Sequence, residues 1–501
     1  MQLTLKILNI IFTLLNIYLI KKFLHLYQLK DYNNTRYLQH IFHKKYLFVV
    51  PIFLLTFLLN LTQILWLKIL CFISSIVLHF TFCSTLIQSK KTPIKFTKKL
   101  IRLYLISSIF FIITIAFLTK ILLIYQIFIV FSPILSNLIN FYDKIKNFNF
   151  IKSAKTKLKN SKTKIIAITG SNGKTSVKNI LLSLLSTQYK VQATPASYNT
   201  PLGISKFINE ELKTDCKFVI LEYGARHKND VNNLCKIFGA DYGILTTISP
   251  QHLLTFKSIE NVVKAKSELP KFLKNNLCIF NVDNKFCKTM FEQKTGEKIR
   301  VSLSQKADVF ASKIELKNFQ TKFRLHTSKL CAIITTNLLG KHNVTNIILA
   351  SALALELGVK IENIVEAISS LQPTPHRLEY IKSHINILDD SYNCSIESAK
   401  QAINVLNSTT NKKMAVTPGI IEGGKNQFNL NFKLGKLLKN LDYVIIVGET
   451  NKKAILSGIK SQNYKCKIIL SKSLNESKQY FQLLNKDDCL LLLNDLPDDY
   501  N

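Results

Sequence analysis

The sequence predicts an α-helical membrane region followed by α/β structure with a mostly parallel sheet, and three observations carry that prediction. Apolar runs fill most of the first 141 residues. From residue 164 onward, short β-branched strands alternate with helical segments, the pattern of parallel α/β layers. Between the first such strand and its helix lies Gly170-Ser171-Asn172-Gly173-Lys174-Thr175, a glycine-bearing turn at a helix N-terminus. Backbone N–H groups and the positive end of the helix dipole point at an anion in such a turn.

At 501 residues the chain has room for about three domains. Its 47% hydrophobic content and mean hydropathy of +0.15 are high for a soluble protein of this length and fit a membrane-embedded part. Lys and Arg number 67 against 31 acidic residues, a net charge of +36. These cations are spread along the chain with many Asn and Ile, and no nucleic-acid-binding motif accompanies them. The basic excess therefore points to anionic lipid and phosphorylated substrates rather than to nucleic acid. The ten cysteines form no C-x-x-C pair, and Cys71, Cys83, Cys216, Cys278 and Cys394 are among those that lie mostly within apolar runs. They read as buried thiols in a reducing compartment, not as disulfides or a zinc site.

Taken in order, residues 1–141 read as a membrane region with spans at 3–20, 47–59, 65–87, 103–119 and 121–141. Several are short, so the count is five or four. No small-residue cleavage site follows the first, which makes it an anchor rather than a signal peptide. The loop after span one carries Lys21, Lys22, Lys30, Arg36, Lys44 and Lys45; the loop after span three carries Lys90, Lys91, Lys95, Lys98, Lys99 and Arg102. With both basic loops inside, the N-terminus lies outside and all residues after 141 face the cytoplasm, where ATP is available. Residues 142–163 form a basic linker suited to the membrane surface.

The α/β part opens with an apolar strand at 165–169. Val177, Ile180, Leu181, Leu184 and Leu185 recur at the spacing of one helix face behind the turn. In such a cradle Lys174 supplies a point charge and Thr175 a hydroxyl for Mg²⁺, although Ile168 stands where the strict P-loop has its first glycine. Further strands are expected at 218–223, 242–248 and 277–282. Glu222, His252 and Asp283 lie at or just beyond their carboxyl ends, where open α/β sheets bind ligands. A fresh alternation begins near Pro373, with strands at 386–388, 413–417, 443–447, 467–470 and 489–493. The expected division is therefore a central domain at 164–372 and a C-terminal α/β domain at 373–501, with residues 372–375 as the hinge.

Seven segments then act together: TGSNGKT at 169–175, LEYGAR at 221–226, TTISPQHLLTF at 246–256, IENVVKAKSE at 259–268, GKHNVTN at 340–346, HRLE at 376–379 and LDDSYNCSIES at 388–398. In this order and spacing the chain resembles the ATP-dependent Mur ligases of peptidoglycan synthesis, and among them the branch that adds D-alanyl-D-alanine. The resemblance covers roughly 160–450. It implies a P-loop-type central ATPase domain with a C-terminal Rossmann-like ligase domain. It also implies a cytoplasmic reaction in which ATP phosphorylates a substrate carboxylate and an amine attacks the acyl phosphate. The implied cofactors are ATP and Mg²⁺, and the implied substrates are a UDP-muramoyl tripeptide and D-alanyl-D-alanine.

Residue by residue, the resemblance places Gly170, Ser171, Asn172, Gly173, Lys174, Thr175 and Ser176 around the phosphates. It places Thr175, Glu222, His252 and Lys266 at metal, Lys266 as a carbamylated lysine. Catalytic roles fall on Lys174, His252, Lys266 and Arg377, the last reaching the γ-phosphate when domains close. His342, Asn343 and Asn346 meet the base, where an amide offers both donor and acceptor, and Asp390 the ribose; helix capping is the alternative for Asn343. Ser197, Tyr198, Asn199 and Thr200 meet the muramoyl peptide, and Tyr392 and Asn393 lie at the domain cleft.

Two departures stand out. Apolar segments occupy the place of the family's soluble UDP-gripping domain, and the end LLLNDLPDDYN lacks the family's K-G-S element. The stretch TPGIIEGG at 417–424 is only loosely like the family's. The leading expectation is a ligase held at the inner face of the bacterial cytoplasmic membrane, in contact with the bilayer and with other cell-wall synthesis proteins. The alternatives are a ligase for a different or lipid-linked acceptor, or a membrane-anchored scaffold with an idle ATP site.

Overall fold

The computed structural model describes residues 21, 24–25, 27–28, 37, 96–117, 136–195, 198–213, 215–251, 253–392, 394–421 and 426–494. The chain divides into two units, 1–148 and 149–501.

In the first unit, helix α1 (Lys98–Phe117) is described together with the start of helix α2 (Ser136–Asn160). Arg102 reaches Asp143 at 3.2 Å, and the rings of Tyr27 and Tyr37 meet edge to face at 5.3 Å. Among the described residues no helix is long and apolar enough to cross a membrane. The expected fourth span coincides with α1, whose first turns carry Lys98, Lys99 and Arg102. The other four expected spans lie largely outside the described residues. The 142–163 segment, read as a linker, is helical to Asn160.

The second unit holds two sheets. The first begins with β1 (Lys164–Thr169), helix α3 (Lys174–Ser186), β2 (Val191–Ala193), α4 (Pro201–Glu210), β3 (Phe218–Glu222), α5 (Asp230–Phe238) and β4 (Tyr242–Leu245). It continues through α6 (Leu253–Phe256), α7 (Ile259–Lys266), α8 (Glu268–Leu273), β5 (Cys278–Asn281), α9 (Lys285–Gln293) and β6 (Lys298–Ser302). Strand order is β2-β3-β1-β4-β5-β6, parallel throughout, and the reversal of order beside β1 opens a crevice at the carboxyl ends. Alternation along β1 serves both faces. Ile166 and Ile168 pack with α3, while Ile165 and Ala167 pack with α4, α5 and the end of α2.

An antiparallel extension escaped the sequence reading. Strands β7 (Val309–Lys317), β8 (Gln320–Thr327) and β9 (Cys331–Thr336) complete a nine-stranded sheet. Their half-polar alternation is that of strands with one solvated face, unlike the apolar runs of buried parallel strands. Helices α10 (Lys341–Glu356) and α11 (Ile361–Ser370) then return to the sheet face that α3 covers.

The second sheet has six strands: β10 (Glu379–Lys382), β11 (Asn386–Asp390), β12 (Lys413–Thr417), β13 (Tyr443–Val447), β14 (Lys467–Ser471) and β15 (Cys489–Leu493). Their order is β10-β11-β15-β12-β13-β14, parallel except for β10. Helices α12 (Ile396–Asn407), α13 (Gln427–Leu438) and α14 (Lys452–Lys460) bury one face of it through Leu406, Leu434 and Ile455 against Leu388, Ala415 and Val444. The described cysteines are free, and most are buried; Cys331 is exposed on β9.

Candidate active site

The loop between β1 and α3 is shaped by two glycines. Gly170 has φ +150°, and a Cβ there would meet the Thr246 hydroxyl at 2.0 Å. Gly173 caps α3 with φ +82°, and a Cβ there would meet Asn346 Oδ1 at 2.6 Å. Both positions put backbone where a side chain has no room, as a close-fitting phosphate cradle requires.

The loop is fastened to the segment after β4. Ser171 N donates to Thr247 O at 2.6 Å, and Ser171 Oγ donates to Ser249 O at 3.0 Å. Asn172 Nδ2 donates to Ser249 Oγ at 3.1 Å, while its own Oδ1 accepts from Gln251 Nε2. Thr246 Oγ1 donates to Asn172 O at 2.6 Å. Thr246, Ser249 and Gln251 were not singled out as site residues. They carry no charge and no ligand-type spacing, so only their place in the 246–256 motif marks them.

Glu222 ends β3 directly beside Ile168 of β1. It is only 2% exposed, and its carboxylate accepts from Thr175 Oγ1 at 2.8 Å and from Asn199 Nδ2 at 3.2 Å. Lys174 Nζ lies across the loop on Ser171 O at 2.8 Å. Burial pulls the Lys174 ammonium below the usual lysine range, and the nearby Arg377 charge adds to that, while Glu222 opposes it.

Lys266, at the end of α7, is 3% exposed. Burial first, then the Lys174 charge, bring it down to about 7, against the opposing pull of Glu222, Asp230 and Glu268. Glu268 itself is occupied by the backbone N–H groups of Asn229 and Asn232, at 2.8 and 2.9 Å. Lys174, Thr175, Glu222, Asn199, Lys266 and Arg377 thus share one electrostatic neighbourhood. A buried carboxylate with a hydroxyl beside it supplies hard oxygen donors that fit Mg²⁺, and the Asn199 amide nitrogen orients that carboxylate. The glycine cradle and adjoining cations fit the phosphates of a nucleotide.

Several other expected site residues engage neighbouring protein groups. Asn343 Nδ2 donates to Leu339 O at 2.8 Å, and Asn346 Nδ2 donates to Asn343 Oδ1 at 3.3 Å. Asn346 Oδ1 lies against Gly173, so this amide pair braces the phosphate loop. His342 is the better candidate for a base contact: its Nδ1 is buried without a partner, and burial lowers its pKa to about 4, keeping the ring neutral. Thr200 is the N-cap of α4, accepting from Gly203 N at 3.2 Å. Tyr198 OH accepts from Lys206 Nζ at 3.3 Å. Ser176 lies in the first turn of α3. Asp283 is taken up by Ser302, Leu303 and Ser304 and closes the loop after β6. Ser197, His252 and Asn393 lie outside the described residues.

The turn between the sheets aims Arg377. His376 and Leu378 on either side of it have φ +61° and +52°, unusual for residues with side chains. The turn is tied to the end of β11: His376 Nδ1 meets Asp389 Oδ2 at 2.8 Å, Leu378 N donates to Asp390 Oδ1 at 3.1 Å, and Tyr392 N donates to His376 O at 3.0 Å. The Arg377 guanidinium stacks on Tyr392, 4.4 Å from the ring centroid. Burial raises Asp390 to about 7, against the opposing pull of the Leu378 N–H and Arg377.

Beyond β12, the weakly matching 417–421 stretch is organised by buried amides that sequence reasoning passed over. Asn431 exchanges bonds with Ile420, Asn451 Nδ2 donates to Pro418 O at 3.0 Å, and Asn494 Nδ2 donates to Gly419 O at 2.7 Å. These residues stand far apart in sequence, and no motif joins them.

Comparison with known proteins follows the same lines. A family model for the Mur ligase middle domain matches residues 168–354. The UDP-N-acetylmuramoyl-tripeptide–D-alanyl-D-alanine ligase of Buchnera aphidicola subsp. Baizongia pistaciae is 30% identical over 338 residues, 66% of this chain and 72% of that protein. The protein of the same name from Mycobacterium bovis is 29% identical over 298 residues, 57% of this chain and 58% of its own length. A crystal structure of MurF from Acinetobacter baumannii superposes with a TM-score of 0.63 at 27% identity, covering 70% of this chain and 77% of the other.

Proposed function

The chain belongs to the Mur ligase family, and on that footing we propose that it joins D-alanyl-D-alanine to UDP-N-acetylmuramoyl-tripeptide with ATP, releasing ADP and phosphate. ATP phosphorylates the terminal carboxylate of the tripeptide, and the amine of D-alanyl-D-alanine displaces phosphate to form the amide. The observation that carries this reading is Glu222 beneath the phosphate loop, held between Thr175 and Asn199.

Bound Mg²⁺ would neutralise phosphate charge and draw the reacting oxygens together. Thr175 and Glu222 are the described residues suited to hold it. The loop 170–173 and the N-terminus of α3 cradle the phosphates, and Lys174 lies where it can leave Ser171 O for them. Arg377, steadied on Tyr392, supplies a second cation from the C-terminal side. Burial lowers Lys266 to about 7, so a substantial share of it is the free amine near neutral pH, the form that carbon dioxide converts to a carbamate, which supports its reading as a carbamylated metal ligand. His342 offers a neutral ring nitrogen to the base, beside Asn343 and Asn346, whose amides are bonded to each other and to Leu339 O.

We also infer that residues 1–141 hold the ligase at the cytoplasmic membrane with its catalytic part in the cytoplasm. Support comes from their apolar runs and basic loops, and from Ile101, Leu105, Ile106 and Ile109, exposed on α1 behind Lys99 and Arg102. The apolar runs of residues 1–141 favour a second acceptor, the lipid-linked form of the muramoyl peptide.

The test is ADP release by the detergent-solubilised full chain with ATP, Mg²⁺, UDP-MurNAc-tripeptide and D-alanyl-D-alanine, with Lys174→Ala as the control. Release that needs both substrates and is lost in Lys174→Ala supports the ligase. Release only with a lipid-linked acceptor moves the reading to that substrate, and nucleotide binding without turnover on any acceptor leaves a scaffold.

A further inference from the structure

Lys178 lies one turn beyond Lys174 on α3 and is 1% exposed. Its Nζ donates to Thr194 O at 2.6 Å. An ammonium taken out of water costs several kcal/mol unless fixed partners replace the solvent. A position wanted only for packing would hold Leu or Met at no such cost. Thr194 is the first residue after β2; its N–H donates to Ile220 O of β3 at 3.0 Å, two residues before Glu222. The chain returns at Asn199, which donates to Glu222 and whose carbonyl accepts from Gly224 N at 3.0 Å. The Lys178 charge also faces Glu222 and Arg377. One buried cation therefore links the phosphate helix, the start of the segment carrying Tyr198 and Asn199, and the carboxylate that both sides share.

We propose that Lys178 is a positioning residue for the muramoyl-peptide substrate: its ammonium pins Thr194 to the phosphate helix, and Tyr198 N, donating to Pro195 O at 3.1 Å, ties that anchor to Tyr198 and Asn199, which so stand in register with Glu222 and the bound nucleotide. This rests on the ligase reading. Lys178 acts through the segment and touches no substrate.

The test compares Lys178→Met with the wild-type full chain. Steady-state kinetics should show KM for UDP-MurNAc-tripeptide raised about tenfold, with KM for ATP changed less than about twofold, a split that corresponds to about 1.4 kcal/mol lost on one substrate alone. Amide hydrogen exchange should quicken at Thr194, Tyr198 and Asn199 while the α3 amides keep their protection. Lys178→Gln, which retains a donor toward Thr194 without the charge, should fall between the two, and it carries the same comparison if Lys178→Met does not fold. Unchanged exchange at those amides, or equal changes in both KM values, would overturn the proposal. If the wild type turns over no muramoyl substrate, the ligase reading fails, and the exchange measurement still decides the role of Lys178.

Discussion

Thr175 Oγ1 donates to Glu222 Oε2 at 2.8 Å across 47 residues of sequence. The contact exists because β1 and β3 are parallel neighbours with Ile168 opposite Glu222, so the acid at the end of one strand sits beneath the helix that follows the other. Glu222→Gln keeps the shape and an acceptor but removes the charge. The Mg²⁺ concentration for half-maximal ADP release should rise at least about tenfold, a loss of about 1.4 kcal/mol, while the melting temperature moves by a few degrees at most. An unchanged Mg²⁺ dependence would take Glu222 out of the metal site.

Gly173→Ala should harm nucleotide binding more than folding. The left-handed conformation costs a residue with a Cβ about 1–2 kcal/mol, and here the Cβ also meets Asn346 Oδ1 at 2.6 Å. Adding Asn346→Ala should return part of the lost stability by removing the clash, yet leave the backbone penalty. Thermal unfolding and nucleotide titration of both variants measure the two effects separately.

Lys266 makes a pH-dependent prediction. Its folded-state value of about 7 lies below that of the unfolded chain, so between pH 7 and about 10 the unfolded chain binds more protons and stability rises with pH. Below pH 7 both states are protonated and the full cost of the buried cation remains. In carbonate-free buffer Lys266→Met should therefore be more stable than wild type at pH 6–7, by at least about 1 kcal/mol, with the gap closing toward pH 10. A gap independent of pH, read from denaturant melts, would show that Lys266 ionises as it does in water. The same variant should lose ADP release.

Tyr392→Leu removes the ring under Arg377. An exposed cation–π contact is worth about 0.5–1 kcal/mol, so kcat/KM for ATP should fall about two- to fivefold, whereas Tyr392→Phe should remain near wild type. A fall of the same size in Tyr392→Phe would assign the effect to the hydroxyl instead.

The parallel strands were legible because burial on both faces writes them as continuous apolar runs: 165–169, 413–417 and 443–447 are strands where the runs stand. Strands β7 to β9 were not, since their one-sided alternation depends on which face the return of α10 and α11 covers. The phosphate loop was legible because its glycines, lysine and threonine are adjacent in sequence and their chemistry is local. The partners of Thr200 and Asn343 were not legible: Thr200 caps α4 and Asn343 is bonded to Leu339 O, contacts that only the fold sets.

By itself, then, the sequence determined the α/β class, the glycine-bearing loop between β1 and α3, and the acid at the end of β3. Periodicity and short motifs are properties of consecutive residues, which need no knowledge of neighbours. Tertiary structure decided the rest: that Glu222 is shared by Thr175 and Asn199, that burial lowers Lys266 to about 7, and that Lys178 is tied to Thr194. Each of these is a matter of desolvation and of pairing between groups far apart in the chain, and both arise only when the sheet brings its carboxyl ends together.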